Sequence, residues 1–428
     1  MLNTYYYEQL TAEKIDELVQ RNTDPNSAIQ DTVLEVIQEV KKHGDQALKD
    51  FTKQFDKVEL DKLYLDKDDI AALAQTISRE QMRALEIAFQ NIHKFHQSQL
   101  KRERTVETMP GVKCWREVRP IEKVGLYIPG GSAVLPSTLL MLGVPARIAG
   151  CKEIVVCSPP QNQGKINGFV AYCLQLLQID RIYLIGGAQA VAAMAYGTST
   201  IPKVNKIFGP GNQFVTKAKS LIQGLTDVSI DMPAGPSEVL VIADETARPD
   251  YVAADLLAQA EHGIDSQAIL VSTNVLITEK VLQEIQRQLE LLPRRELAEQ
   301  AIQNSYAVIT RDLEEAIAFS NLYAPEHLII ESDQWKSLIP RIVNAGSVFL
   351  GHLTPESAGD YASGTNHTLP TSGYAKSYSG VSVDSFIKKI TFQHITEEGL
   401  QYIGSTVETL AELEGLQAHK QAMSIRMT

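Results

Sequence analysis

Cysteine is scarce in this sequence, and the four cysteines that occur have no paired spacing. They are Cys114, Cys151, Cys157 and Cys173 among 428 residues. A disulfide framework or a cysteine-based zinc site normally shows closely spaced pairs such as C-x-x-C. The lack of such pairs favours a reducing compartment, and we therefore predict a cytoplasmic protein.

Long apolar runs and clusters of basic residues are also missing. The most apolar window, 133–148, is interrupted by Pro136, Pro145 and Arg147 and is too short to cross a bilayer. The first residues have no basic stretch followed by an apolar one, so we expect no signal peptide. The net charge of −12 argues against nucleic acid as a partner, because phosphate binding needs clustered Lys and Arg. We expect neither a membrane nor a nucleic acid as partner.

The spacing of apolar residues changes near Val124. Before it, 27–51 and 81–100 carry apolar residues at a spacing close to 3.6, which is typical of amphipathic helices. After it, short apolar runs alternate with segments of helical length. The runs are 124–128, 154–157, 182–185, 239–243, 268–271, 307–309, 328–330 and 348–350, and the segments between them include 136–147, 165–177 and 251–262. This alternation predicts an α/β protein with largely parallel sheets.

The dinucleotide-binding pattern G-x-G-x-x-G does not occur between a predicted strand and a predicted helix. The nearest substitutes are Gly186-Gly187 and Gly209-Pro210-Gly211-Asn212, and each follows a predicted strand. Ligands of α/β proteins bind where parallel strands end, so either substitute suits a cofactor site. Structural turns explain both equally well.

Six of the nine histidines follow residue 260, and His262 is the first of them. It lies three residues after Gln259 near the end of a predicted helix, so both side chains share one face. A histidine at this position can bind a metal or respond to the helix dipole. Glutamine is not a usual zinc ligand, so the residue types alone make this a weak signal.

Glu326 and His327 follow Pro325, which ends a predicted helix, and precede a predicted strand. An acid next to an imidazole at the entrance of a strand suits proton transfer, because imidazole titrates near neutral pH. A polar loop at a helix–strand junction is the alternative, and the residues alone favour it.

The segment 356–367 is predicted to be an acidic loop of small residues that lets backbone approach a ligand. Asp360 within it is a hard oxygen donor, although a plain surface loop is the more common structure. A helical stretch near the C-terminus, 399–425, carries Glu414 and His419. Taken alone, His419 is expected to be a solvated side chain.

Taken together and in this order, these residues resemble the histidinol dehydrogenase family. The matching positions are Ile230-Asp231, Ala234-Gly235-Pro236-Ser237-Glu238, Ala243, Asp255, Glu261-His262, Gly209-Pro210-Gly211-Asn212, Pro325-Glu326-His327, Gly359-Asp360-Tyr361, Glu414-Gly415 and His419. The resemblance covers nearly the whole chain, and a block of this length and order is far more specific than any short motif.

The resemblance implies a role for each matching site residue. A zinc ion would be held by Gln259, His262, Asp360 and His419. The substrate would contact Ser237, His327 and Glu414 together with the zinc ligands, and NAD would contact Tyr127, Gln189 and Asn212. Glu326 and His327 would carry the proton chemistry.

The implied reaction removes four electrons from L-histidinol, which passes through L-histidinal to L-histidine in histidine biosynthesis while two NAD are consumed. Zinc would orient the substrate, His327 would take the hydroxyl proton, and Glu326 would activate water for the second oxidation. The resemblance also implies a homodimer with interlocked subunits, in which Glu414 and His419 serve the partner's site.

We expect two Rossmann-like α/β domains with largely parallel sheets, and small helical arms at both ends of the chain. Turn-rich stretches at 128–131 and 231–236 mark the expected crossings between domains. The predicted division is an N-terminal helical segment (1–26), a first domain with the metal and catalytic residues (27–124 with 238–380), a second domain that binds NAD (125–237) and a C-terminal arm (381–428).

Three other functions fit parts of the pattern. An aldehyde-dehydrogenase mechanism needs a cysteine thiolate, but Cys157 lies in an apolar strand and core packing suits all four cysteines better. A zinc hydrolase would use a similar metal site with glutamate-activated water, and it would turn over without NAD. A binding protein without catalysis would show no turnover at all.

Overall fold

The computed structural model describes residues 2–21, 27–101, 103–130, 135–161, 164–233 and 235–427. Gly131 of the first predicted domain crossing and Ala234 of the second lie outside the described residues, as does the stretch 22–26 of the predicted N-terminal segment. No helix among these described ranges is both long enough and apolar enough to cross a membrane.

The strands follow one another from near the start of the chain to its last arm. They are β1 (Asn3–Tyr6), β2 (Tyr64–Leu65), β3 (Val106–Met109), β4 (Val112–Pro120), β5 (Lys123–Tyr127), β6 (Glu153–Cys157), β7 (Ile182–Tyr183), β8 (Lys206–Phe208), β9 (Ser229–Ile230), β10 (Glu238–Ala243), β11 (Gln267–Ser272), β12 (Tyr306–Ile309), β13 (His327–Glu331), β14 (Ser347–Leu350) and β15 (Ile387–Ile395). Each of the eight apolar runs that predicted strands overlaps a strand of the structure, although 184–185 lie beyond β7 and residue 128 lies beyond β5.

The α-helices alternate with the strands through the middle of the chain. They are α1 (Ala12–Val19), α2 (Ser27–His43), α3 (Asp45–Phe51), α4 (Lys67–Ala74), α5 (Arg79–Gln97), α6 (Pro136–Ala149), α7 (Gly168–Leu176), α8 (Gly187–Tyr196), α9 (Gln213–Leu225), α10 (Pro249–Ala260), α11 (Val275–Leu289), α12 (Arg295–Gln303), α13 (Leu313–Tyr323), α14 (Trp335–Leu338), α15 (Glu356–Tyr361), α16 (Glu397–Leu413) and α17 (Gln417–Ser424).

Two six-stranded sheets form the two halves of the fold and repeat one strand order. Sheet A has the order β1-β12-β11-β10-β13-β14, and sheet B has the order β2-β7-β6-β5-β8-β9. All pairings in sheet A are parallel, and in sheet B only the short β2 is antiparallel to its neighbour. Apart from the edge strands β1 and β2, which come earlier in the chain, each sheet starts in a central strand, adds two strands on one side and then adds two on the other side. The predicted α/β class with largely parallel sheets is confirmed.

Both faces of sheet A are covered by helices, which explains the unbroken apolar runs of its strands. Alternate residues of β10 enter opposite cores: Val239 and Val241 pack with residues of α10 and α11, whereas Leu240 and Ile242 pack with residues of α1 and α13. A strand buried on both faces needs apolar residues at every position.

The helices of residues 27–97 pack against sheet B. Their buried residues, among them Val33, Ile37, Ile70 and Ile92, belong to the same core as Val124 of β5. The predicted grouping placed 27–124 with 238–380 instead. An amphipathic pattern shows that a helix has a buried face, but it does not show which sheet covers that face. We therefore propose that 27–101 forms one domain with 125–237.

The two terminal arms contain the expected helices and also strands, which the sequence did not predict. Near the N-terminus, β1 forms the edge of sheet A through its parallel pairing with β12. In the C-terminal arm, β15 pairs with β4, and β3 completes the antiparallel sheet C. Most residues of β3 and β15 are exposed in the single chain, so the sequence offered no buried apolar run to mark these strands. The helical stretch predicted in the C-terminal arm is confirmed as α16 and α17.

A buried ion pair between α9 and the residue after β9 allows a stability prediction. The Lys219 Nζ lies 2.5 Å from Asp231 Oδ1, and the two side chains are 4% and 1% exposed. We expect Lys219→Met to lower the free energy of unfolding by about 3–5 kcal/mol, because Asp231 is left as an unpaired buried charge. Chemical denaturation measures this loss.

The matched control is Lys203→Met, since Lys203 pairs with Asp227 at the same distance but both side chains are well exposed. That change should cost much less, because water screens an exposed ion pair, and equal losses in the two variants would contradict the prediction.

Candidate functional site

The predicted catalytic residues lie at the amino ends of the central strands of sheet A. His327 is the first residue of β13 and Glu326 directly precedes it, as the strand-entrance interpretation required. Glu238 is the first residue of the neighbouring β10, and Ser237 precedes it. The helix α10 follows β10 and runs back along the sheet, so its carboxyl end returns to the amino ends of the strands. This return brings Gln259 in the last turn of α10 to the same edge.

His262 lies two residues beyond the end of α10. Its backbone N–H donates to the carbonyl oxygen of Gln259 at 3.2 Å, which fixes the turn. The helix therefore ends slightly earlier than predicted, at Ala260, but the two side chains stay close to each other at its end.

The imidazole of His327 is buried and faces carboxylates on both of its nitrogens. On one side, Nδ1 lies 3.5 Å from Glu356 Oε1 and 3.7 Å from Glu326 Oε2. On the other side, Nε2 lies 3.6 Å from Asp360 Oδ1. Glu326 is held in turn by the backbone N–H of Glu238, which donates to Glu326 Oε2 at 2.9 Å. The acid and base predicted from the sequence are thus in contact, and two further carboxylates join them.

The electrostatics of this group are dominated by burial and by the excess of carboxylates. Burial by itself lowers the pKa of His327, but the carboxylates of Glu356, Glu326 and Asp360 raise it to about 10. Burial raises the pKa of Glu326 and that of Glu356 to about 8 each. Burial also acts on Asp360, but the neighbouring His327 outweighs it and holds the pKa of Asp360 below its usual value. Three carboxylates carry more negative charge than one imidazole can balance, so a further positive charge would stabilise this group.

Buried polar atoms without partners point to the place of that charge. Gln259 is fully buried, and neither its Oε1 nor its Nε2 has a hydrogen-bond partner in the described part of the chain. The same holds for Asp360 Oδ1, Glu356 Oε2 and His327 Nε2. Ligand atoms of His262, Glu356 and Asp360 lie within 4.8 Å of one another. Buried polar atoms are normally satisfied, so the donor set fits a metal ion that would satisfy them.

Glu356 was not among the predicted site residues. The segment around it was expected to be a loop, but its first part is the helix α15. Glu356 precedes Asp360 by four residues, so a helix places both side chains on one face. An i, i+4 pair of acids was the available signal, and the small residues around it concealed the helix.

Glu414 and His419 are not brought to this group within a single chain. Both are exposed, Glu414 at the end of α16 and His419 on α17. The described groups that influence the pKa of His262, His327 and Asp360 do not include either residue.

The three residues predicted for a dinucleotide lie near the carboxyl edge of sheet B. Tyr127 ends β5, and Asn212 follows β8, the strand next to β5. The chain changes direction across the sheet between these two strands, which is where α/β sheets bind ligands. The side-chain oxygen of Asn212 accepts from the backbone N–H groups of Phe214 and Val215 at 3.1 and 3.2 Å and so caps α9.

Gln189 lies in the first turn of α8, close to Tyr127. The backbone N–H of Gly187, the first residue of α8, donates to the Tyr127 hydroxyl at 3.2 Å. Gly209 also approaches Tyr127 so closely that an added Cβ would lie 2.1 Å from its carbonyl oxygen. The amino ends of α8 and α9 therefore flank Tyr127, and helix amino ends suit phosphate groups.

A hydrogen bond connects the segment that carries Asp360 with the helix that follows the candidate dinucleotide edge of sheet B. The ring Nε2 of His367, seven residues after Asp360, lies 3.2 Å from the Thr138 hydroxyl in the first turn of α6. This helix is the one that follows Tyr127 and β5 in the chain. The candidate metal group and the candidate dinucleotide edge thus lie on connected elements.

The cysteines do not offer a nucleophile. Burial raises the pKa of Cys151 to about 11 and raises those of Cys157 and Cys173 further still. Cys114 lies on β4 in sheet C, away from the residues of the metal group. The thiolate mechanism considered from the sequence has no support in this geometry.

The chain is similar to histidinol dehydrogenases over its whole length. The family model described as histidinol dehydrogenase matches residues 19–427. The histidinol dehydrogenase of Bacteroides thetaiotaomicron is 53% identical over 411 residues, which cover 96% of each chain. The chloroplastic histidinol dehydrogenase of Arabidopsis thaliana is 51% identical over 431 residues, with all of this chain and 91% of the relative covered.

A solved structure agrees with these relatives. The crystal structure of histidinol dehydrogenase from Elizabethkingia anophelis superposes with a TM-score of 0.96 at 52% identity, covering 100% of this chain and 98% of the other. The chain therefore belongs to the histidinol dehydrogenase family, the oxidoreductases of histidine biosynthesis.

Proposed function

We propose that this chain oxidises L-histidinol through L-histidinal to L-histidine with two molecules of NAD, using a bound zinc ion. The observation that carries the proposal is the buried pair of Glu326 and His327 beside polar atoms that lack partners, those of Gln259 above all. An alcohol oxidation at a metal site requires a proton acceptor and, close to it, polar atoms that are free to bind the metal.

Zinc would be held by Gln259, His262, Asp360 and His419. Ligand atoms of His262 and Asp360 lie in one cluster, and Gln259 and Asp360 have buried side-chain atoms without hydrogen-bond partners, which fits such a role. When bound, zinc supplies a positive charge and positions for the imidazole and amino nitrogens of the substrate. Glu356 contacts His327 and adds a second carboxylate beside Asp360. We propose that it balances the metal charge, while Ser237, His327 and Glu414 contact the substrate.

In the first oxidation, His327 takes the hydroxyl proton as hydride leaves the substrate carbon for the nicotinamide of NAD. A histidine with a pKa near 10 is protonated at neutral pH and cannot act as a base. That value arises from the surrounding carboxylates, so a cation among them lowers the pKa of His327 toward the range of a general base.

In the second oxidation, Glu326 removes a proton from water as the water oxygen adds to the aldehyde carbon, and the protonated His327 returns its proton to the aldehyde oxygen, which gives a hydrate and leaves His327 neutral again. The hydrate is again an alcohol, so a second hydride can leave for a second NAD while His327 takes the hydroxyl proton. Burial raises the pKa of Glu326 to about 8, which makes its carboxylate a stronger base, and a cation among the carboxylates favours the ionised form that accepts the proton.

The dinucleotide would bind at the carboxyl edge of sheet B, with Tyr127, Gln189 and Asn212 in contact. The amino ends of α8 and α9 support this placement, because their N–H groups and dipoles favour phosphates. We also propose a homodimer in which Glu414 and His419 complete the partner's site, since the single chain leaves both of them exposed. The cytoplasmic location stays a prediction.

The stoichiometry of the reaction tests the proposal directly. We expect about two NADH for each histidinol consumed, because both oxidations take place at one site. Absorbance of NADH, measured against limiting histidinol, gives the ratio. A ratio of one with histidinal in solution would refute the four-electron reaction, and turnover without NAD would indicate a hydrolase instead.

A further inference from the structure

A buried ion pair lies directly behind Glu326 and His327. Arg21 Nε lies 3.0 Å from Glu238 Oε2, and the two side chains are 9% and 0% exposed. Arg21 also donates to the hydroxyl of Tyr323 at 3.3 Å and to the side-chain oxygen of Gln267. It is the last described residue of the N-terminal segment 2–21, which includes the edge strand β1 and helix α1.

Glu238 contacts both catalytic residues through its backbone. Its N–H donates to Glu326 Oε2 at 2.9 Å, and its carbonyl oxygen lies 3.3 Å from His327 Nδ1. Any movement of this residue at the amino end of β10 therefore moves a hydrogen-bond partner of the acid and a partner of the base.

Donors surround the side chain of Glu238 and favour its ionised form, whereas burial raises its pKa. Besides Arg21, the Tyr323 hydroxyl donates to Oε2 at 3.2 Å and the backbone N–H of Ser372 donates to Oε1 at 3.0 Å. A carboxylate buried this deeply, on the residue whose backbone N–H binds Glu326, needs a cation to compensate its charge. Arg21 is that cation, and its guanidinium stays charged at any pH the protein meets.

We propose that Arg21 is a positioning residue, which acts through Glu238 to hold Glu326 in its catalytic orientation. The N-terminal segment 2–21 then has two functions: β1 forms the edge strand of sheet A, and Arg21 provides the counter-ion of Glu238. Without Arg21, the charge on Glu238 is uncompensated, and Glu238 must shift or take a proton. Either change displaces the N–H on which Glu326 depends. This proposal rests on the proposed function of Glu326.

A double-mutant cycle on the zinc-loaded enzyme tests it. We expect Arg21→Gln to lower kcat for histidinal oxidation roughly 10-fold while KM changes less than about 2-fold, because the loss is one of orientation and Glu326 acts in the second oxidation. In an enzyme that already carries Glu326→Gln, the same Arg21→Gln change should have no further effect, since the residue that it positions is gone. Arg21→Lys should recover most of the rate because it keeps the charge.

Tyr306→Phe is the matched control. The Tyr306 hydroxyl donates to the carbonyl oxygen of Leu18 at 2.7 Å, so it anchors the same N-terminal segment without touching Glu238. Its loss should lower stability and leave kcat unchanged. If loss of an anchor alone explained the Arg21 effect, Tyr306→Phe would reproduce it.

Equal losses from Arg21→Gln with and without Glu326→Gln would overturn the proposal, and so would an unchanged kcat in Arg21→Gln. Should Arg21→Gln fail to fold, Tyr323→Phe takes its place in the cycle, because it removes another donor to Glu238. Failure of the proposed function is seen separately, since a wild-type enzyme that forms no NADH from histidinol shows it before any variant is made.

Discussion

Mixing inactive His262→Ala chains with inactive His419→Ala chains is expected to restore about a quarter of the wild-type activity. The two residues belong to one proposed zinc site, but His419 lies on the exposed α17 and does not approach His262 within the chain. If each site takes His419 from the partner, a mixed dimer has one site that lacks both ligands and one that is intact. Random pairing makes about half of the dimers mixed, and each has one of its two sites restored.

The measurement is the rate of NADH formation after the chains are dissociated, mixed and reassociated. The matched control is a mixture of His262→Ala and Asp360→Ala chains. Both residues come from the same chain in every site, so that mixture should stay inactive. An inactive His262 and His419 mixture in which mixed dimers are shown to be present would refute the shared site.

Removing the base and removing the acid should affect different steps of the reaction. We expect His327→Gln to slow histidinol oxidation by about 10²–10⁴-fold, the usual contribution of a general base. Glu326→Gln should impair histidinal oxidation more than histidinol oxidation, because only the second step needs activated water. Rates measured separately with histidinol and with histidinal distinguish the two roles.

His352→Gln is the control for both variants. His352 Nδ1 lies 2.6 Å from Glu331 Oε2, so it repeats the pairing of a histidine with a buried carboxylate. This pair lies at the opposite edge of sheet A, where β13 ends. Its loss should leave both rates nearly unchanged. Equal losses at both steps in Glu326→Gln would contradict the assignment of water activation to that residue.

The sequence predicted the site residues in unequal ways. Glu326 and His327 could be placed at a strand entrance, because a proline stop followed by an apolar run is a local pattern. Gln259 had no such signal, since its significance comes from complete burial without a partner. Arg21 had none either, since nothing near it in sequence shows that it faces a glutamate more than two hundred residues later.

The eight strands and the α/β class were determined by the sequence alone. A run of apolar and β-branched residues between turns, such as 239–243, has few alternatives to a buried parallel strand, and this requirement is local. The tertiary structure decided which sheet the helices of 27–97 cover, which acids surround His327, and that Glu414 and His419 stay apart from the other site residues of their own chain. These outcomes depend on contacts between residues far apart in the sequence, and the spacing of residues along the chain does not encode the partner of a buried face.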